Sequence, residues 1–150
     1  MTEVFVMDWR SNLFRWAMTQ NGRPFAWGDT DCASLTRKAL AICFGRELFP
    51  DAPRWNTRRG AVLAWKETGG LEPALVQLGA KKTDLNFVRA GDVVCFDEAE
   101  ERIGHTAVGI WIGNRCLMST VEGVALAPLQ SLPTDSRVYS LWEVLEVIDG

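Results

Sequence analysis

The sequence predicts an α+β domain: N-terminal helices packed on an antiparallel sheet of about five strands. Three observations carry that expectation. Apolar residues recur at helical spacing through the first half of the chain. Short β-branched or apolar runs bounded by turn residues fill the second half. The connections between those runs are of hairpin length, which suits antiparallel neighbours and leaves no room for crossover helices. With 150 residues, 47% of them hydrophobic, the chain suits one domain spanning residues 1–150 and is too apolar for wholesale disorder.

Asp8 to Gln20 sets Trp9, Leu13 and Trp16 at i, i+4 and i+7, and Asn21-Gly22 followed by Pro24 ends that helix. Turn residues Gly28-Asp29-Thr30-Asp31 precede a second helix from Cys32 to Phe44, stopped by Gly45. Cys32, Leu35, Ala39 and Ile42 share one of its faces, and Asp31 or Thr30 is its N-cap. A loop with Pro50 and Pro53 leads to a third helix over Thr57 to Glu67, closed by Gly69-Gly70, and a short helix covers Pro73 to Leu78. Strands are expected at Val93–Phe96, His105–Ile112, Cys116–Ser119, Val124–Ala127 and Arg137–Val147. Gly113-Asn114 is the turn after the second of them.

Several function classes are excluded at this level. Sixteen basic residues against nineteen acidic ones give a net charge of −3, leaving no surplus for a phosphate backbone, so no nucleic acid partner is expected. The opening MTEVFVMDWR lacks a basic start and a long apolar core, so it predicts no secretory signal and a soluble product of the cytosol. The longest apolar run, Ala107–Ile112, falls far short of the ~20 residues of a membrane helix, so no membrane insertion is expected. Cys32, Cys43, Cys95 and Cys116 form no CxxC pair and there is one histidine, so neither a zinc site nor any cofactor is expected, and the thiols should be reduced.

Chemistry concentrates in Phe25-Ala-Trp-Gly-Asp-Thr-Asp-Cys-Ala-Ser-Leu, which puts Cys32 on the first turn of a helix. Backbone N–H groups and the helix dipole at that end stabilise a thiolate, the nucleophile of acyl transfer. Such a thiolate needs an imidazole to share its proton, and His105, at the start of a strand, is the one available. The bland alternatives stand beside this reading: Cys32 as a small apolar residue at a helix start, and His105 as a strand-end residue without a role.

The sequence resembles the NlpC-type cell-wall cysteine peptidases. Phe25-Ala26-Trp27-Gly28 with Asp31-Cys32-Ala33-Ser34-Leu35 is similar to that family's aromatic-x-Trp-Gly and Asp-Cys-Ser-Gly-Phe elements. Gly91-Asp92-Val93-Val94-Cys95-Phe96 is similar to its Gly-Asp-Leu-Val-Phe-Phe strand. Gly104-His105 with Val108-Gly109-Ile110-Trp111-Ile112-Gly113-Asn114 is similar to its His-Val-Gly-Ile-Tyr-Ile-Gly strand and turn. The blocks keep the family's order between residues 25 and about 129, and the compact size is most like the versions encoded with phage or prophage tail genes.

The resemblance implies a papain-like fold and a cysteine hydrolase that cleaves an amide bond in peptidoglycan stem peptides. Catalytic roles fall to Cys32 and His105, with Ser119, six residues beyond Gly113, as the group orienting the imidazole. Trp27, Gly28 and Asp31 would line the substrate site. The implied partners are a peptidoglycan peptide and other phage tail proteins, and the implied location is the virion tail after synthesis in the host cytoplasm.

Two departures stand out. Ala33 and Ser34 replace the usual serine and glycine, and His105 sits two residues ahead of the family position, with Thr106 and Ala107 between. Side chains alternate along a strand, so a two-residue offset keeps His105 on the face expected for the family histidine, ~6–7 Å further along. Two other readings stay open: a catalytically inactive tail-tip or hub protein that retains the fold, and an amidase or acyltransferase acting on a soluble substrate. Trp9, Trp16, Trp65, Trp111 and Trp142 are expected in the core, and Asp97–Arg102 is expected to be a solvated loop.

Overall fold

The computed structural model describes residues 8–97 and 106–144. Helices α1 (Trp9–Gln20), α2 (Cys32–Phe44), α3 (Arg58–Thr68) and α4 (Leu71–Gln77) precede and cover an antiparallel sheet. Its strands are β1 (Lys81–Thr83), β2 (Val93–Asp97), β3 (Thr106–Trp111), β4 (Cys116–Thr120), β5 (Gly123–Ala127) and β6 (Arg137–Ser140), in spatial order β1-β6-β2-β3-β4-β5. The α+β class stands, with six strands instead of about five. The added strand, Lys81-Lys82-Thr83, pairs with β6 at the sheet edge, and its charged, three-residue sequence carries no period-2 apolar signal. β6 ends at Ser140, well before Val147, because Trp142–Val144 form a turn; residues 145–147 of that expected strand lie outside the described residues.

Local chemistry accounts for the helix ends. Asp31 caps α2 by accepting from the Ser34 N–H, and Gly45 closes it in the left-handed region at φ 74°. Thr57 caps α3 in the same way through the Gly60 N–H, and Gly69 closes it. The Gly91-Asp92 pair forms the tight entry to β2. Asp92 is wholly buried, its Oδ2 accepts from the Arg89 N–H at 2.9 Å, and burial pushes its carboxyl above the usual range.

Alternation along the strands splits the sheet into two faces. Val93, Cys95, Val108, Ile110, Ile112, Leu117, Val124, Tyr139 and Leu141 form the main core with Leu13, Leu35, Ala39, Leu40, Cys43 and Phe44 from the helices. Val94, Phe96, Ala107, Trp111, Cys116 and Val138 form a smaller cluster on the opposite face. No disulfide joins the cysteines, and burial pushes the Cys43 and Cys116 thiols up to about 12.

One polar knot ties the helices to the sheet. Arg137 on β6 donates from Nε and Nη2 to Glu72 of α4, at 2.6 and 2.9 Å, and from Nη2 to Asp97 at 3.2 Å. The Tyr139 hydroxyl donates to the same Glu72 at 2.6 Å. Burial, then this hydrogen bond to a carboxylate, pushes the Tyr139 phenol up to about 12. A phenol raised in the fold stays protonated while the unfolded chain loses its proton near ~10. The contribution is therefore whole below about pH 10 and is lost as pH climbs through 12. Tyr139 is the only tyrosine in the chain, so absorbance at the tyrosinate band reports it alone. The folded protein should show no tyrosinate at a pH where the urea-unfolded chain is half titrated, and Tyr139→Phe should flatten the alkaline loss of stability.

Candidate functional site

Asn21 to Asp31, between α1 and α2, decides where Cys32 lies, and this connector is fixed at several points. Its first part runs along the outer edge of β5: the Gly22 N–H donates to the Val124 carbonyl at 2.8 Å and the Val124 N–H to the Arg23 carbonyl at 2.9 Å. Gly123 permits that approach, since a Cβ there would stand 2.6 Å from the Arg23 oxygen. Thr30, wholly buried, closes the next part; its hydroxyl donates to the Pro24 carbonyl and accepts from the Ala26 N–H, both at 2.8 Å. Asp29 adds ion pairs to Arg23 and Lys38, which hold its carboxyl below the usual range.

Asp31 finishes the turn. Only 1% exposed, its Oδ1 accepts from the Ser34 N–H at 2.9 Å, while Oδ2 accepts from the Gly28 N–H at 2.6 Å, the Ser34 hydroxyl at 2.9 Å and Trp55 Nε1 at 2.9 Å. The carboxylate faces inward, where it builds the turn that leads into α2. Trp55 is the residue that sequence reasoning missed. It lies in the proline-bearing loop, where a lone large aromatic among turn residues was the available signal.

Gly28 is required by geometry. Its φ is +82°, and a Cβ would fall on the Trp55 carbonyl oxygen. Around it runs a row of rings: Phe25 to Trp27 at 4.7 Å between centroids, Trp27 to Trp65 at 6.4 Å, and Trp65 to Trp55 at 6.0 Å. Trp27 and Trp55 are half-buried, so this row forms a partly exposed wall beside the head of α2.

Cys32 is the first residue of α2, half-buried and packed against the main core. Cys95 lies beneath this region; burial chiefly pushes its thiol up, and nearby Glu72 and Cys32 act the same way. Ser119 lies on β4 directly opposite Val124, the residue that anchors the connector. Alternation turns it to the helix-covered face with Leu117 and Val124. Its hydroxyl is closed off from solvent and has no hydrogen-bond partner among the described residues.

His105 lies outside the described residues, as does Glu98–Arg102 of the acidic run. The position directly before Val108-Gly109-Ile110, where the resembled pattern carries its histidine, is Ala107. Its side chain packs on the sheet face turned away from the helices, whereas Val108, Ile110 and Ile112 face them. Among the described residues no cluster of His, Cys, Asp and Glu is placed to hold a metal ion, and no helix is long and apolar enough to cross a membrane.

The profile of a domain of unknown function, DUF6950, matches residues 6–138. The chain belongs to that family. The matched region takes in the connector, the capped head of α2, the groove-side helices and the sheet as far as β6, so the candidate site lies wholly within the family's domain. No curated protein matches the chain.

The donors around Asp31 give a direct test. Asp31→Ala removes the α2 cap and leaves several part-buried donors without their acceptor, so it should cost about 2 kcal/mol or more. Gly28→Ala should cost about 2 kcal/mol or more through its left-handed φ and the collision with Trp55. Urea denaturation measures both.

Proposed function

We propose that the protein is a cysteine hydrolase of the NlpC type with a papain-like arrangement, cleaving an amide bond in peptidoglycan stem peptides. The observation that carries this reading is the construction around Cys32: a thiol at the first position of a helix, held there by a buried cap and a stitched connector, above a sheet face bearing an unpartnered Ser119 hydroxyl. Native structures rarely leave a buried hydroxyl unsatisfied, and functional sites are where such groups are retained.

In this reading the Cys32 thiolate attacks the amide carbonyl and His105 gives its proton to the departing amine. A water activated by the same imidazole then releases the thioester, returning the thiol. The Cys32 backbone N–H, at the positive end of α2, faces the developing oxyanion. Ser119 accepts from the imidazole and orients it. The aromatic wall of Trp27 and Trp55 bounds the peptide, and Gly28 keeps the chain low enough beside it. The resemblance also supports a phage tail as the assembly that carries the enzyme to the wall.

Alkylation with iodoacetamide, followed by peptide mass mapping across pH, tests the nucleophile. Cys32 should react with a midpoint well below the ~8.5 of an ordinary thiol, while Cys43, Cys95 and Cys116 stay unmodified in the folded protein. An inert Cys32 would move the protein to the alternative of a structural tail component. On purified wall fragments, Cys32→Ala and His105→Gln should each abolish cleavage. Ser119→Ala should lower kcat about tenfold or more while leaving stability unchanged or slightly raised, since it removes an unsatisfied buried hydroxyl.

A further inference from the structure

A groove of about 570 Å³ lies between α2, the 48–55 loop, the end of α3 and the start of α4. That is within the ~300–1,000 Å³ usual for sites that enclose small ligands. Its walls are mainly apolar and rigid, with Phe49, Pro50, Pro53, Trp55, Trp65 and Leu71 among them. Ala33, the residue after Cys32 in α2, is also in its lining.

Arg37, one helical turn after Ala33, lines the same groove with only 6% of its surface exposed. Its Nη2 donates to the Phe49 carbonyl at 3.0 Å, and its buried Nε has no hydrogen-bond partner among the described residues. The Glu47 carboxylate stands 3.7 Å away and is shared with Arg54 at 3.6 Å and the Phe49 N–H at 3.0 Å. A guanidinium so desolvated and so partly compensated is a natural anion seat. Burial disfavours its charged form, Glu47 opposes that effect, and a bound anion would oppose it further.

The remaining charges narrow the occupant. Asp51 and Glu67 line the groove but are exposed, so they repel a polyanion while tolerating one carboxylate held at the Arg37 end. Thr68 and Gln77 also line it and offer donors and acceptors suited to backbone amides, which a fatty acid would leave unmet.

We infer that this groove binds a short peptide with a free carboxylate, its apolar side chains against the aromatic wall and its carboxylate on Arg37. The inference deepens the amide-cleaving reading and rests on it only for placing the scissile bond near Cys32.

Calorimetric titration of the Cys32→Ala protein tests it without turnover. The probes are N-acetyl-trialanine as the free acid and as its C-terminal amide. The acid should bind with a Kd at least tenfold lower than the amide. Arg37→Gln should erase that preference, and Arg37→Lys, which keeps the charge but loses the fork, should retain part of it. Equal affinity for acid and amide, or no binding of either at millimolar concentration, would overturn the assignment. The acid–amide comparison needs no change at Arg37, so it decides the matter even if Arg37→Gln fails to fold. Alkylation reads Cys32 and titration reads Arg37, so the two ideas fail separately.

Discussion

The buried carboxylate of Asp31 is the constraint on which the candidate site depends. Four donors from four groups converge on it: two from Ser34 and one each from Gly28 and Trp55. Each link taken singly is an ordinary hydrogen bond, worth about a kilocalorie or two. Together they lock the start of α2, the glycine turn before it and the loop that follows α2 into one piece. The position of Cys32 follows from that lock, because the residue after an N-cap has little choice of where to go. The aromatic row follows too, since Trp55 is aimed by its bond to Asp31 and in turn packs on Trp65.

A second constraint comes from the sheet. Strand alternation gives Val108, Ile110, Leu117, Ser119 and Val124 to the helix side and Ala107, Trp111 and Val138 to the other. Among the described residues, the helix side holds the Ser119 hydroxyl, the half-buried Cys32 thiol and the groove. The opposite face is closed by a compact apolar cluster. The Glu72–Arg137–Tyr139 knot secures the same side from the far end of the sheet, joining α4 to β6.

Much of the architecture was legible because it rests on local signals. The Asp31 cap and the Gly45 stop framed α2 from Cys32 to Phe44 as expected from the sequence. Gly113-Asn114 marked the turn after β3, and the apolar runs gave β2 to β5 to within a residue or two. What stayed hidden depends on contacts distant in sequence. β1 is a strand only because β6 lends it partners, and its lysines say nothing of that. The inward direction of the Asp31 carboxylate depends on Gly28 and Trp55 and cannot be inferred from the residue type. Trp55 gains its place through a bond spanning 24 positions, and Arg37 lies on a helix face whose neighbours arrive from α4 and the 48–55 loop.

The stitch between the connector and β5 joins Gly22 and Arg23 to Val124, groups far apart along the chain. During synthesis the head of α2 would form early, yet the turn that aims Cys32 would stay unpinned until the β4–β5 hairpin had emerged and docked. The surroundings of the thiol therefore depend on a hairpin about a hundred residues downstream, and a chain cut before β5 would carry the helix without the bonds that pin the turn ahead of it.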